Sequence, residues 1–369
     1  MSAVTWSSIA TDGAARTGWL KTSHGEVRTP TFMPVGTRAA VKAVDSDDLT
    51  SVGADIVLSN TYHLMLRPGA ELVAKMGGLH EFMSWDGPIL TDSGGYQIFS
   101  LEPKIDEEGA TFRSVYDGSQ VHLSPEDAVG VQAQLGADIA MVLDVCVGLP
   151  APVEEVDAEM RRTLRWAERC LQAHGRDDQG LFGIVQGGVD PDLRAESARE
   201  TAALGFAGFG IGGLSVGEPD NQRNNALEAA VNELPPDKPR YVMGLGDTDG
   251  LLDAIVRGAD MFDCVLPTRL ARHGRVLTTS GDFNLNKLRF ETEDSPIDPD
   301  CSCHTCSIYS KAYLRHLIRM KELSAHRLLS IHNLHYTFGL IGGAGAAIEE
   351  GRLSAYIDGV RVARSEGSA

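Results

Sequence analysis

Eight short apolar runs, each closed by a polar or small residue, constrain the fold of this chain more than any other feature. They cover residues 31–35, 55–60, 89–91, 139–144, 182–186, 209–211, 241–245 and 261–265. Runs that stay apolar without alternating are buried on both faces, the condition of a parallel sheet covered by helices. Helical segments separate them at 124–135, 153–174, 191–204, 222–234 and 249–256. Ser124-Pro125-Glu126-Asp127 reads as a helix start: a capping serine, proline in the first turn, and acids at the positive end of the dipole. Eight strand–helix units predict an α/β chain folded as a (β/α)8 TIM barrel. With 369 residues, 43% of them hydrophobic, the chain can fill one large core and carry an addition. The first run is the weakest of the eight, and a further N-terminal sheet is expected over the barrel bottom.

The run ends carry the chemistry. Asn60, Asp92, Asp144, Gln186, Gly212-Gly213 and Asp263 all lie at or just past the C-terminal end of a run, where barrel enzymes assemble their sites. In Asp92-Ser93-Gly94-Gly95-Tyr96-Gln97 two glycines let backbone approach a ligand, and Tyr96 can stack on a planar ring. The competing reading is a plain glycine turn with a core tyrosine. Asp144 can accept two N–H groups from an amidine-like ring edge, and Gln186 can give and take a hydrogen bond; together they suit a purine. Asp263 is followed at once by the basic segment Thr268-Arg269-Leu270-Ala271-Arg272-His273-Gly274-Arg275, which suits a phosphate-bearing substrate. Gly208-Phe209-Gly210-Ile211-Gly212-Gly213 matches a dinucleotide fingerprint formally, but no helix pattern opens after it.

Three of six cysteines fall in Cys301-x-Cys303-x2-Cys306, with His332 downstream. Thiolates and imidazole suit tetrahedral zinc, and three thiolates plus one imidazole fill the shell, as in a structural site. His304 and His335 compete with His332 for the fourth place; His332 is favoured by its position in an apolar helical pattern. Two insertions interrupt the barrel rhythm. One, 101–122, carries a hairpin signal at 111–116 and 120–123 around Asp117-Gly118. The other is the cysteine region. The expected organisation is therefore a barrel core over 1–276, a zinc-binding insertion over 277–333 and closing C-terminal helices with Gly-rich breaks over 334–369. No run is long enough to span a membrane and the N-terminus lacks signal-peptide character, so a cytoplasmic, reducing setting is expected. A net charge of −18 argues against a polyanion partner, but Arg269, Arg272, Arg275, Lys287, Arg289, Lys311, Arg315, Arg319, Lys321 and Arg327 form a candidate local basic surface.

Taken together, Asp92-Ser93-Gly94-Gly95-Tyr96-Gln97, Asp263-Cys264-Val265-Leu266-Pro267-Thr268-Arg269 and the Cys301/Cys303/Cys306/His332-Asn333 set resemble the tRNA-guanine transglycosylase family, over essentially the whole chain. Cys146 and Val216 resemble its bacterial branch. The resemblance implies exchange of guanine 34, the wobble base of tRNAs with a GUN anticodon, for the queuosine precursor preQ1. Asp263 would be the nucleophile and Asp92 the general acid/base. Asp92, Ser93, Gly94, Gly95, Tyr96, Asp144, Gln186, Gly213 and Leu214 would hold the base. Gly244, Leu245, Gly246, Asp247, Thr248, Asp249 and Gly250, with Thr268, Arg269, Leu270, Ala271 and Arg272, would contact the anticodon arm. Cys301, Cys303, Cys306 and His332 would bind one structural Zn2+, and a homodimer with the zinc region near its interface is implied. Near Val147-Gly148 a more polar residue is expected from the family pattern. Glu218 is placed to support the peptide around Leu214. Two alternatives remain open on sequence: a retaining barrel N-glycosidase with water as acceptor, and a non-catalytic tRNA-binding subunit.

Overall fold

A computed structural model describes residues 3–215 and 217–367. Eight parallel strands close into a barrel: β1 Thr31–Gly36, β2 Val57–Ser59, β3 Ile89–Thr91, β4 Ile139–Met141, β5 Gly180–Val185, β6 Gly208–Ile211, β7 Arg240–Val242 and β8 Met261–Cys264. β8 pairs with β1 through Met261 opposite Thr31 and Asp263 opposite Met33, so the sheet has no edge. Every residue of β1 to β7 is buried, as the unbroken apolar runs require. The weak first run is thus a true barrel strand.

The helices between strands follow their local signals. Ser124 caps Pro125–Leu135 with a reciprocal capping box to Asp127. Val153–Ala173, Pro191–Ala203, Asp220–Glu233 and Thr248–Val256 follow β4 to β7. The hairpin insertion is a three-stranded sheet of Lys104–Ile105, Ala110–Arg113 and Gln120–Leu123. Its first long strand stops at Arg113, short of the expected 116, because the Ser114 amide bonds the Ser119 carbonyl at 2.8 Å and closes a wider loop.

The barrel bottom is capped by an antiparallel sheet of Thr5–Asp12, Ala15–Thr22 and Gly25–Thr29. Two of its ties reach residues that lead into strands. Arg16 Nε and Nη2 lie 2.9 and 2.5 Å from the carboxylate of Asp260, just before β8, and its Nη1 and Nη2 donate to the carbonyls of Pro236 and Lys238. The His24 ring, stacked on His80 at 3.6 Å between centroids, meets Asp138, which precedes β4. Burial pushes Asp138 up, but hydrogen bonds from His80, the Ile89 amide and His24 outweigh it and hold the carboxyl at about 2.

The C-terminal region differs from expectation. The Gly-rich stretch around 339–345 does not break the chain; one helix runs from Leu323 to Glu349, and Leu353–Gly367 packs back on it. The glycines serve close approach instead. A Cβ on Gly343 would lie 2.4 Å from the Tyr356 hydroxyl oxygen. Leu323–Glu349 also occupies the place of the helix that follows β8, packing on β1 and on Thr248–Val256. The cysteine region is therefore inserted between the eighth strand and its helix. It has its own small core, with Val276, Leu285, Phe290, Leu314, Leu328 and Leu329, whereas Ile331 and Leu334 of the same helix enter the barrel core.

Arg16→Ala leaves the Asp260 carboxylate buried without its cation. The expected cost is about 3–5 kcal/mol, read as a lower urea midpoint with an unchanged slope.

Candidate active site and metal centre

A cavity of about 370 Å³ opens at the C-terminal ends of the strands. Asn60 follows β2, Asp92 follows β3, Asp144 lies past β4, Tyr241 is on β7 and Asp263 on β8; all five line it. Strands that point the same way deliver their ends to one rim, so residues far apart in sequence converge there.

Asp92 is buried and held on both oxygens. Its Oδ1 accepts the Thr61 amide at 2.9 Å, and its Oδ2 accepts from Asn60 Nδ2 and, at 2.9 Å, from Gln97 Nε2. Burial pushes the carboxyl up; those three donors oppose it, the negative Asp263 adds to the rise, and the result is about 6. A carboxyl poised there can give or take a proton near neutrality. Asp263 is held on one oxygen only. Its Oδ1 accepts from the Tyr241 hydroxyl at 2.6 Å and from the Gly244 amide at 2.8 Å. Burial raises its pKa, and these two donors counter the rise.

Across the cavity, Asp144 accepts from Ser93 Oγ at 3.1 Å and Gln186 Nε2 at 2.7 Å. Gly95 stands against it: an added Cβ would fall 2.4 Å from Asp144 Oδ1, so only glycine lets the Ser93–Tyr96 turn close over this carboxylate. Gln186 packs against Gly212 and Gly213 of the cavity wall and donates from Nε2 to Asp144. Tyr96 is 57% exposed at the mouth, free to present its ring. Leu214 is buried in the wall, and the Ser215 amide after it donates to the Glu218 carboxylate. Cys146 also lines the wall; burial first, then Asp144, pushes its thiol to about 12, so it stays neutral. Val216 lies outside the described residues. The polar residue expected near Val147-Gly148 has no counterpart, and a ring edge of Phe99 packs on Gly148 instead.

The second cluster lies in the inserted region. The Sγ atoms of Cys301, Cys303 and Cys306 and a ring nitrogen of His332 lie within 4.8 Å of one another. His332 Nδ1 is 3.6, 3.6 and 3.3 Å from the three sulfurs. A tetrahedral centre with metal–sulfur and metal–nitrogen bonds of about 2.3 and 2.0 Å needs edges of about 3.6 Å between unlike donors, so the four atoms fit a metal. His332 Nε2 faces the Leu277 carbonyl at 2.8 Å, the outer contact that fixes a ligating imidazole. His335 approaches Cys301 alone at 3.6 Å. Neither His335 nor His304 belongs to the four-donor group.

The queuine tRNA-ribosyltransferase family matches residues 11–366. The chain is 52% identical over 357 residues to the queuine tRNA-ribosyltransferase of Moorella thermoacetica, covering 96% of each chain. It is 54% identical over 342 residues to that of Bacillus velezensis, covering 92% of this chain and 90% of the relative. To that of Herpetosiphon aurantiacus it is 52% identical over 349 residues, 94% of this chain and 89% of the relative. This chain belongs to the queuine tRNA-ribosyltransferase family. It is accordingly an enzyme, a pentosyltransferase.

In this member of the family the two loops singled out for RNA are unevenly exposed. Gly244, Asp247 and Asp249 are exposed, whereas Leu245, Gly246, Thr248 and Gly250 are buried. Asp247 caps the helix Thr248–Val256 and Asp249 pairs with Arg361. In the second loop Arg269 is exposed and lines the cavity, Leu270 and Arg272 are half-buried, and Thr268 and Ala271 are buried. The basic surface is thinner than the sequence suggests. Lys311 pairs with Glu293, Arg315 with Glu291, Arg275 with Asp282 and Arg327 with Asp48. Sequence reasoning passed over Tyr241 and Gln97. Tyr241 sits one strand away from Asp263 and has no motif of its own. Gln97 was legible in its motif, but its role needs the fold: Nε2 holds Asp92 while the buried Oε1 lacks a partner in the structure.

Removing one donor from Asp92 favours its neutral form. In Asn60→Ala the Asp92 ionisation is expected to move above about 6, followed by carbon NMR of labelled aspartate carboxyls; a downward move would contradict the assignment of Asn60 as a donor that holds the anion.

Proposed function

We propose that this enzyme exchanges guanine 34 of GUN-anticodon tRNAs for preQ1 by double displacement through a covalent Asp263 glycosyl-enzyme. The observation that carries the reading is the pair of carboxylates on one cavity, one held on both oxygens and one left with a free oxygen. A glycosidic bond cleaves through an oxocarbenium-like state, and a carboxylate on the far face of the sugar traps it. Asp263 Oδ2 attacks the ribose C1′, the bond to guanine breaks, and the departing base takes a proton from Asp92. The incoming base returns a proton to Asp92 and displaces Asp263, with configuration retained. Asp144, backed by Gln186, accepts N–H groups from the base edge, and Ser93, Gly94, Gly95, Gly213 and Leu214 line its plane. Tyr96 stacks on it. A wobble base has to leave its stack to reach such a pocket, as single-stranded RNA bases do when proteins read them. The enclosed walls favour transfer to a base over loss to water.

Arg269, at the cavity rim, and Arg272, one turn on in the same helix, supply positive charge for the anticodon arm beside segments 244–250 and 268–272. The Cys301/Cys303/Cys306/His332 set holds one structural Zn2+, whose filled shell clamps the 277–333 insertion between the barrel core at 1–276 and the closing helices over 334–369. Ile308, Tyr313, Met320 and Leu323 are exposed apolar residues beside it, which supports a homodimer contact in the zinc region. A cytoplasmic location accords with six unpaired cysteines, and no described helix is long and apolar enough to cross a membrane.

The test is to trap the tRNA–protein adduct under denaturing conditions and locate it by mass spectrometry. An adduct on any residue but Asp263, or abasic tRNA as the main product, sinks the reading. Asp92→Ala is expected to slow exchange by about 10²–10⁴-fold. For the incoming base, kcat/KM is expected to rise with pH as Asp92 ionises, with a midpoint no higher than about 6, because esterified Asp263 no longer repels the Asp92 anion; a midpoint above 7 contradicts the assignment. Stripping the metal is expected to lower thermal stability and tRNA binding before it affects bond cleavage.

A further inference from the structure

We propose that Tyr241 and the Gly244 amide form a two-donor hole for the non-attacking oxygen of Asp263, and that Tyr241 thereby sets how fast the covalent intermediate is released. The inference rests on the reading of Asp263 as nucleophile. Both donors converge on Oδ1, at 2.6 and 2.8 Å, and Oδ2 accepts from no described residue. Rotating the carboxylate to exchange its oxygens would break both bonds, so an otherwise symmetrical nucleophile is reduced to one attacking atom, Oδ2.

The consequence reaches both chemical steps. When Oδ2 bonds to C1′, Oδ1 becomes the carbonyl oxygen of an ester and its negative charge falls. When the incoming base attacks C1′, the C1′–Oδ2 bond breaks, its electron pair returns to Asp263, and charge reappears on Oδ1. Donors already aimed at that oxygen stabilise the departing carboxylate, as an oxyanion hole stabilises a developing alkoxide. They bind the free carboxylate better than the ester, so they favour release over capture. Tyr241 suits the task. It is 1% exposed and fixed on β7, adjacent to β8, with Tyr241 opposite Met261 and Val242 opposite Phe262. Burial first, then Asp263, raises its phenol well above the ordinary value, so the hydroxyl remains a donor throughout the working range. The Gly244 amide is a backbone group, and Gly244 takes a φ of 77° in the turn that presents it. Tyr241 acts through Asp263 and is a positioning residue.

The experiment separates the two half-reactions in the full-length enzyme. Enzyme and guanine-labelled tRNA without incoming base give the rate of adduct formation; adding preQ1 gives the rate of release. In Tyr241→Phe above pH 7, release is expected to slow by roughly 10²-fold, within the range for losing one such donor. Formation is expected to change much less, so adduct accumulates at steady state while KM for tRNA is unchanged. The acid limb of formation is expected to move to higher pH, since the lost donor favoured ionised Asp263. A merely structural role would slow both steps in equal proportion, and that outcome, or no change in either, overturns the proposal. Should Tyr241→Phe fold poorly, 3-fluorotyrosine at position 241, a stronger donor of nearly the same shape, is expected to speed release; unchanged or slower release overturns it. If wild-type enzyme yields no adduct on Asp263, the nucleophile assignment fails and the hole fails with it, which is distinct from an Asp263 adduct whose release ignores Tyr241.

Discussion

The pairing of β8 with β1 is the constraint on which the rest depends. Until Met261 meets Thr31 and Asp263 meets Met33, the chain is an open sheet with two exposed edges, and Asp92 and Asp263 belong to separated strands. Closure puts them on one rim, and it does so by pairing residues 230 positions apart, in a chain whose other barrel neighbours are far closer in sequence. The N-terminal sheet reinforces the seam from below, because Arg16 grips Asp260 immediately before β8. The two ends of the barrel are thereby distinct: paired ions close the bottom, and a carboxylate raised by burial lines the cavity at the top.

Much of this architecture was legible in the residues. Unbroken apolar runs marked all eight strands within a few positions, since burial on both faces leaves no alternation to misread. Strand-end polar residues marked the rim, because a side chain one step beyond the last ladder bond has nowhere else to point. What stayed hidden depended on packing across distance. The glycines near Gly343 looked like helix breaks, but tertiary contact with Tyr356 overrides their weak helix propensity. Gln186 stood out as a strand-end amide, and only the fold shows its bond to Asp144. Tyr241 lies inside an apolar strand where nothing in the local pattern separates it from a core aromatic.

The basic residues teach a similar lesson about charge. Their number near the cysteines suggested a broad cationic face, yet Lys311, Arg315 and Arg327 are each committed to an acid. Sequence counts charges without showing which are already answered. The cations left open, among them Arg269 at the cavity mouth, are few and placed close to the site, so an acidic protein keeps a focused positive field where a polyanion would enter and repels it elsewhere.

Asn333 and the helix that carries it extend that economy to geometry. Beside His332, Asn333 accepts from the Leu277 amide and donates to the carbonyls of Pro267 and Arg275. Toward the other end of the same helix, Gly345 passes close to Pro30 and Thr17, and Glu349 pairs with Arg28, at the barrel bottom. A continuous helix of 27 residues is a rod of roughly 40 Å, pinned at both ends to the same barrel. It works as a ruler. Whatever grips the cysteine-bearing insertion is held at one fixed offset from the carboxylates, and a helix shortened or lengthened by one residue would turn the insertion by about 100° around the rod and lose its register with the mouth, though Asp92, Asp263 and the three cysteines were all still present.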